Sequence, residues 1–325
     1  MHGANLKRSG RGLAPLMVVA LFAAGCGGSD AEQAEEAGGP VTVTVGTLPT
    51  ANAAAMYLGI EQGFFEEEDL ALEAAVVGSG NEIITGLVSG DYQFGFVGYV
   101  SAGIAAANNV PVCVVAANDG SGTSVEDDWQ VMAVGANSPI KTPQDLVGKT
   151  LGVNALGGVA EVFIKAGLDD QGIDPESVQL IEVPFPEVPA ALSAGRIDAG
   201  FATEPFLTSV LDAGGSIPFA PQSQLAPNNP NGSYTASEQY VGENGDVVER
   251  FRRAMNKSAD YAQEHQDEVR AIIPTYTKIA PEVAERIRLP YFTSELEEDL
   301  IDTQMGYLEE YGIAEDVPAA ADLFC

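Results

Sequence analysis

Two stretches of the chain show the same succession of short apolar strands and amphipathic helices. Each succession is strand, helix, strand. In the first stretch these elements are predicted at 41–45, 53–62 and 71–77. In the second stretch they are predicted at 150–153, 159–168 and 178–183. Strands that alternate with helices are typical of sheets with parallel strands and helices on their faces. The pattern therefore predicts an α/β fold in which each unit is a mostly parallel sheet flanked by helices.

The end of each unit also repeats residue by residue. The segment from Leu87 to Phe96 aligns without a gap with the segment from Leu192 to Phe201, at an offset of 105 residues. Each consists of the end of an apolar helix, a Gly that stops the helix, and a short buried strand that ends in Gly-Phe. Chance similarity between two glycine-punctuated units is the alternative. Since the order of elements matches as well, we expect two similar lobes.

The remainder of the chain is predicted to be helical after a loop-rich stretch. A strand over 234–236 follows that stretch, and the helices are predicted at 246–264, 267–273, 281–288 and 294–310, the last with a capping box formed by Ser294 and Glu297. These helices have no third sheet to cover, so we expect them on the first lobe. The chain would then cross between lobes near 130–137 and 234–238. Lobe 1 is predicted as 41–133 with 236–325, and lobe 2 as 134–235.

The N-terminal residues are typical of an exported protein. Three basic residues precede the apolar run 13–24, which is shorter than the ~20 residues of a membrane-spanning helix. This indicates a signal peptide over 1–25. Residues 26–40 contain no large apolar side chain and are predicted to form a flexible tether.

The segment Ala23-Ala24-Gly25-Cys26 resembles the lipobox of bacterial lipoproteins, in which the Cys carries a lipid. Ala23 stands where that motif usually has Leu. The resemblance implies an extracytoplasmic protein anchored to the cell membrane through Cys26. The alternative is an ordinary signal peptide with Cys26 incidental.

Charge and cysteine content narrow the classes of partner. The chain has 47 Asp and Glu against 15 Lys and Arg, a net charge of −32, which opposes binding to nucleic acid or anionic lipid. Such a surface favours solubility or salt adaptation and does not require a cationic ligand. Cys113 and Cys325 could pair as a disulfide or remain free thiols. Because no CxxC or Cys/His cluster occurs, we expect no zinc site, no other metal and no cofactor.

Five segments resemble the solute-binding proteins of ABC importers, in the NMT1/THI5-like group of nitrate, sulfonate, taurine and thiamine-pyrimidine binders. They are YLGIEQGFF (57–65), SGDYQFGF (89–96), NSPIKTPQDLVGK (137–149), AGRIDA (194–199) and TEPF (203–206). The resemblance implies a type II periplasmic-binding fold, with two lobes joined by a hinge of two crossovers and the ligand in the cleft between them. It also implies delivery to a permease with a cytoplasmic ATPase, and we expect a monomer.

Candidate ligand contacts lie at the carboxyl ends of the predicted strands, where open α/β sheets bind their ligands. The predicted contacts are Thr50, Asn52, Gly78, Ser79, Gly80, Gly98, Tyr99, Asn154, Leu156, Gly157, Gly158 and Glu204. Alternatives remain for four of them. Asn52 could cap a helix, the loop with Ser79 could be a plain turn, Tyr99 could pack in the core, and Glu204 could cap the next helix. With Thr203 before Glu204, no aromatic wall is expected on that side.

None of the predicted contacts is basic, so the sequence disfavours a simple anion as ligand. A carboxylate at position 204 would suit an amine, and we expect a small neutral or zwitterionic molecule, such as an aminopyrimidine or an amino-sulfonate. A nitrate or alkanesulfonate binder is the alternative. Beyond residue 25 the only His is His265, on a charged helix, and no catalytic triad is available. We therefore expect no enzyme activity; an enzyme on the same fold, of the pyrimidine-synthesis or lyase type, would need a reactive Lys or His in the cleft.

Overall fold

The structure is a computed structural model, and it describes residues 39–325. The predicted signal peptide and lipid-bearing Cys26, and the tether as far as residue 38, lie outside the described residues. Within 39–325, every helix is either too short or too polar to cross a lipid bilayer.

Two sheets form the centres of the two lobes. The first contains, in spatial order, β11 (Tyr291–Phe292), β4 (Val112–Gly120), β10 (Pro230–Ser237), β3 (Phe94–Gly98), β1 (Val41–Thr47) and β2 (Leu70–Val76). The second contains β7 (Gln179–Glu182), β6 (Thr150–Val153), β8 (Ala199–Thr203), β5 (Gln130–Val134) and β9 (Ser216–Phe219). The prediction of an α/β fold with two lobes and two crossovers is confirmed.

Helices cover both sheets. Those of the first lobe are α1 (Ala54–Glu61), α2 (Gly80–Ser89), α3 (Tyr99–Ala107), α8 (Glu238–Glu243), α9 (Gly245–Glu264), α10 (Gln266–Tyr276), α11 (Pro281–Ala284) and α12 (Glu298–Glu310). Those of the second lobe are α4 (Val159–Asp170), α5 (Val188–Ser193), α6 (Phe206–Asp212) and α7 (Pro221–Leu225). As predicted, the C-terminal helices lie on the first lobe. The last begins at Glu298, with Glu297 as its N-cap residue, so Ser294 and Glu297 do not form the predicted capping box. The N–H of Ser294 instead donates to Asp260 in α9.

The sheets are mixed rather than simply parallel. In each sheet four strands share one direction, and the strand that enters from the other lobe runs against them. Strand β10 pairs antiparallel with β3 and β4, and β5 pairs antiparallel with β8 and β9. In the first sheet the short edge strand β11 also runs antiparallel to its neighbour β4. Insertion between two neighbours satisfies the backbone donors and acceptors on both edges of the entering strand.

The lobe boundaries therefore differ from those predicted. Residues 130–133 belong to the second sheet, and residues 230–235 belong to the first. The crossovers lie at 121–129 and 226–229, several residues before the predicted positions. Apolar runs there could be placed in either lobe by pattern, and only strand pairing decides between them.

Helix α9 anchors the first lobe through a continuous apolar face. Val248, Phe251 and Met255 are buried against the sheet, and the Phe251 ring stacks on Phe94 with centroids 3.7 Å apart. Helix α1 crosses α9 closely at Gly59, where a Cβ would come within 1.9 Å of the Ser258 hydroxyl. Only glycine permits this approach.

The C-terminal residue is attached to the first sheet. Cys325 forms a disulfide with Cys113 in β4, and its backbone N–H donates to the carbonyl of Val114 at 3.0 Å. The two residues are 212 positions apart in the chain. The disulfide therefore closes most of the described protein into one covalent loop.

Candidate functional site

A cavity of about 70 Å³ lies between the lobes, at the carboxyl ends of β1, β3, β6 and β8. Both sheets direct their strand ends toward it, as open α/β sheets do toward their ligands. One water occupies roughly 10–15 Å³ on this scale, so the cavity has room for only a few small groups. A compact ligand is the kind that fits.

Six of the predicted contacts meet in this cavity. Its polar wall contains the following residues: Thr50, Asn52, Asn81, Ser101, Gln130, Asn154, Thr203 and Asn231. Thr50, Asn52 and Asn154 were predicted, and the backbone at Gly80, Gly98 and Gly158 also lines the cavity. The amide of Asn154 is half-buried and makes no hydrogen bond within the described residues, so both of its polar atoms are free for a ligand.

Of the three ligand contacts predicted in the loop at the start of α2, only one lies at the cavity. Gly80 lines the cavity, but the N–H of Gly78 donates to the carboxylate of Glu82 at 3.1 Å. The Ser79 hydroxyl caps the helix by accepting from the N–H of Glu82. The polar groups of Gly78 and Ser79 are thus satisfied within the protein, so the tight-turn alternative describes these two residues.

The loop before α4, which contains the predicted contacts Leu156, Gly157 and Gly158, binds two of the protein's own carboxylates. The N–H of Gly157 donates to Glu161 at 2.9 Å, and the N–H of Leu156 donates to Glu182 at 3.1 Å. The Leu156 side chain is exposed on the surface. Neither residue lines the cavity, which leaves Gly158 as the only one of these three that does.

Tyr99 and Glu204 lie elsewhere. Tyr99 is buried in the apolar contact between α3, α4 and α12, as its packing alternative supposed. Glu204 is buried and caps α6: its carboxylate accepts from the N–H of Thr208 at 3.0 Å and from the N–H of Arg288 at 3.2 Å. Burial raises the pKa of Glu204 to about 7. The idea of a carboxylate facing the ligand from this position is wrong, because the helix end and the opposite lobe take both oxygens.

Aromatic side chains form a wall that the sequence interpretation missed. Phe96, Trp129, Phe185 and Phe201 all line the cavity. The repeat contains part of this information, because it aligns Phe96 of β3 with Phe201 of β8. The Trp129 indole donates to the carbonyl of Gly120 at 3.0 Å, which fixes the ring in the first crossover. The expectation of a missing aromatic wall is wrong.

A buried network of amides lies behind the polar wall. Its centre is the carboxyl of Asp119, which is 1% exposed and accepts hydrogen bonds from the side chains of Asn52, Asn118 and Asn231. Burial raises the pKa of Asp119 to about 7. Gly232 lies so close that a Cβ there would be 2.0 Å from the carboxylate. Asp119 is not one of the predicted contacts, and it lies near the end of the buried strand β4.

The walls of the cavity are uncharged. No Lys, Arg, His, Asp or Glu of residues 39–325 lines it. In the same part of the chain, no three His, Cys, Asp or Glu side chains converge as a metal site would require. Hydroxyls, amides and aromatic rings can orient a small polar ligand by hydrogen bonds and stacking.

Comparisons with known proteins agree with this architecture. The family model described as "NMT1/THI5 like" matches residues 50–269. The formylaminopyrimidine-binding protein of Halalkalibacterium halodurans is 29% identical over 266 residues, which cover 80% of this chain and 77% of that protein. The taurine-binding periplasmic protein of Escherichia coli K12 is 27% identical over 170 residues, 52% of this chain and 50% of that one.

Among solved structures, the alkanesulfonate-binding protein SsuA from Xanthomonas axonopodis pv. citri, bound to MOPS, superposes with a TM-score of 0.73. The match covers 89% of this chain and 99% of that one at 16% identity, so it concerns the fold. The family model spans more than half of the chain, from the first strand end of the cleft into the C-terminal helices. The chain belongs to the NMT1/THI5-like family.

Proposed function

We propose that this protein is the extracytoplasmic solute-binding component of an ABC importer, and that it captures a small neutral or zwitterionic molecule by closing two lobes around it. The observation that carries the proposal is the interlobe cavity itself, with strand ends of both sheets converging on uncharged polar and aromatic walls. A ligand held there is enclosed by residues of both lobes, so binding and closure are one event.

The chemistry of the walls favours a nitrogen-containing ring over a simple anion. Phe96, Phe185 and Phe201 offer ring faces and edges, and amides such as Asn154 can hold polar substituents in the plane of a ring. The formylaminopyrimidine-binding relative supports an aminopyrimidine, and the taurine-binding relative supports an amino-sulfonate. A bare nitrate or sulfonate would find no cationic side chain in the described walls. We therefore place the aminopyrimidine class first.

Calorimetric titration with 4-amino-2-methylpyrimidine and with taurine tests the proposal. We expect one of the two to bind with one molecule per chain, and Asn154→Ala to weaken that binding. Asn108→Ala is the matched control, because Asn108 is an exposed amide at the end of α3, outside the cavity. Loss of affinity in both variants, or in neither, would contradict the assignment of the cleft as the binding site.

The same proposal assigns transport rather than catalysis. The ligand would pass unchanged to a membrane permease driven by a cytoplasmic ATPase, with the protein acting as a monomer. Recovery of an intact ligand after prolonged incubation, with no product by mass spectrometry, is the expected result. A product that accumulates with time would instead favour an enzyme on this fold.

We further propose that Cys26 carries a lipid that anchors the exported protein to the cell membrane. The lipobox-like sequence before Cys26 supports this assignment. In cells that express the full chain, Cys26→Ser should shift the protein from the membrane fraction to the soluble extracytoplasmic fraction and abolish incorporation of labelled palmitate. Unchanged membrane association of this variant would contradict the anchor.

A further inference from the structure

The carboxyl of Asp119 lies one layer behind the cavity wall and receives the nitrogen atoms of two wall amides. The Nδ2 atom of Asn231 donates to Oδ1 at 3.0 Å, and the Nδ2 atom of Asn52 donates to Oδ2 at 3.2 Å. Asn118 adds a third amide donor at 2.8 Å. In its ionised form, above the raised pKa of about 7, this carboxyl only accepts hydrogen bonds, so each of these amides points its nitrogen at Asp119 and its oxygen away.

This constraint passes through Asn231 to Gln130. The Asn231 Oδ1 atom accepts from the Nε2 atom of Gln130 at 2.7 Å. The same Nε2 atom donates to the side-chain oxygen of Gln222, whose own nitrogen donates to the backbone carbonyl of Pro230 at 3.2 Å. Both N–H groups of Gln130 are therefore used. Its Oε1 atom accepts from no group in residues 39–325, and Gln130 lines the cavity.

A shorter series of hydrogen bonds fixes the orientation of the Thr50 hydroxyl group, again starting from Asp119. With its nitrogen turned to Asp119, Asn52 offers Oδ1, which accepts the hydroxyl hydrogen of Thr50 at 2.7 Å. Thr50 has a single hydroxyl hydrogen, so its Oγ1 atom can only accept from a ligand. Both of the wall groups that Asp119 controls are thus left as hydrogen-bond acceptors.

We propose that Asp119 is a positioning residue that sets the cleft to accept hydrogen bonds at Gln130 Oε1 and Thr50 Oγ1, so that the ligand must supply N–H donors there. This inference rests on the proposed function, and it names N–H donors as the feature of the ligand that the site recognises. Thr203 adds a buried hydroxyl without a protein partner on the wall from the second lobe. A flat ring with an exocyclic amino group meets both the acceptors and the aromatic wall.

Matched ligand pairs test the inference without any variant. The first pair is 4-amino-2-methylpyrimidine and 4-methoxy-2-methylpyrimidine, and the second is taurine and propane-1-sulfonate, in which a methyl group replaces the ammonium group. At pH 8 we expect the amino member of the binding pair to bind about tenfold or more tightly by calorimetry, because a buried acceptor left unpaired is costly. Equal affinities, or a preference for the member without N–H groups, would overturn the inference.

Asp119→Asn then tests the role of the carboxylate. The new amide can donate as well as accept, so the neighbouring amides are free to reverse their orientation. The ratio of the two affinities within the binding pair should therefore fall toward one. Asp145→Asn is the matched control, since it makes the same chemical change at a carboxyl that accepts only from Lys141 and Thr142 and bonds to none of the wall amides. It should retain the wild-type preference. A retained preference in a folded Asp119→Asn protein would overturn the positioning role, and if that variant does not fold, the wild-type pairs decide alone.

Failure of the inference can be told apart from failure of the proposed function. If wild-type protein binds both members of a pair equally, the cleft is a binding site but its polarity is not the one inferred. If it binds neither member of either pair, the proposed ligand classes are wrong, and the inference falls with them.

Discussion

The backbone N–H of Ala51 in the first lobe donates to the carbonyl of Glu204 in the second, at 2.9 Å. The Glu204 side chain in turn accepts from the N–H of Arg288, so one residue of the second lobe is held by two segments of the first. The guanidinium of Arg288 also donates to the carbonyls of Val125 and Asp128 in the first crossover, each at 2.9 Å. Glu204 therefore belongs to the contact that closes the lobes, not to the wall that faces the ligand.

Burial of Glu204 predicts a dependence of stability on pH. The pKa is about 7 in the folded protein against about 4.3 in an unfolded chain, so the folded state binds the proton more tightly. The contribution of this carboxyl to the free energy of unfolding is complete below its pKa in the unfolded chain, and it is lost as pH rises through 7. The free energy of unfolding should therefore increase as pH falls from 8 to 5, by up to about 1.4 kcal/mol per pH unit for each such carboxyl.

Urea unfolding of wild-type protein and Glu204→Gln across this pH range checks the prediction. Asp119 titrates in the same range and remains in both proteins, and burial also raises the pKa of Asp128, so the slope should decrease in the variant rather than vanish. The exposed substitution Asn108→Ala, which changes no titratable group, should leave the slope unchanged. Identical slopes in wild type and Glu204→Gln would show that the carboxyl is not protonated in the folded state.

A methyl group at position 232 should damage the cleft selectively. The Cβ of Gly232→Ala would meet the Asp119 carboxylate at 2.0 Å, and the backbone there belongs to β10, in the middle of the first sheet. We expect a loss of about 1–3 kcal/mol in unfolding free energy, as for other overpacked sites, together with weaker ligand binding. Gly242→Ala is the control, because its Cβ meets nothing within 4 Å. Comparable losses in the two variants, measured by thermal unfolding and calorimetry, would count against the packing described here.

The disulfide between Cys113 and Cys325 should make a large contribution to stability. It links residues 212 positions apart, and removal of a native disulfide typically costs about 2–5 kcal/mol. Cys325→Ser should lower the melting temperature to that of the reduced wild-type protein. A reducing agent should have no further effect on the variant. If reducing agent left the melting temperature of the wild-type protein unchanged, this would show that the disulfide does not form.

The interlobe ion pair of Arg286 with Asp212 should affect closure more than folding. Both N–O distances are 2.8 Å, but the side chains are about half exposed, so the pair adds little to global stability. Asp212→Asn should weaken ligand affinity a few-fold by favouring the open arrangement. Glu187→Gln, which breaks an exposed pair with Arg196 inside the second lobe, should not change the affinity. Equal effects of the two variants on ligand affinity would show that the ion pair between Arg286 and Asp212 does not contribute to closure of the lobes.

Much of the fold could be predicted because periodicity and glycine punctuation are local properties. The strand at 150–153 and the helix from 159 lie where their patterns indicated, and the repeat predicted two lobes. The crossovers were misplaced because an apolar strand such as β5 carries no mark of the sheet it joins. Sheet membership depends on pairing between segments that are far apart in the chain.

The site could be predicted only in part, for a related reason. Position at a strand end identified Thr50, Asn52 and Asn154, which face the cavity. It could not show that Glu204 would be captured by a helix end and by Arg288. Asp119 escaped notice because its neighbours Asn52 and Asn231 come from distant parts of the chain.

Ligand-linked closure measured by small-angle X-ray scattering tests the central claim most directly. Small molecules extracted from the purified protein would be returned to ligand-stripped protein, and the radius of gyration followed in wild type and in Asn154→Ala. We predict that the radius falls for wild type and that Asn154→Ala needs a higher concentration for the same change. An unchanged radius in wild-type protein that demonstrably binds the molecule would contradict capture between the lobes.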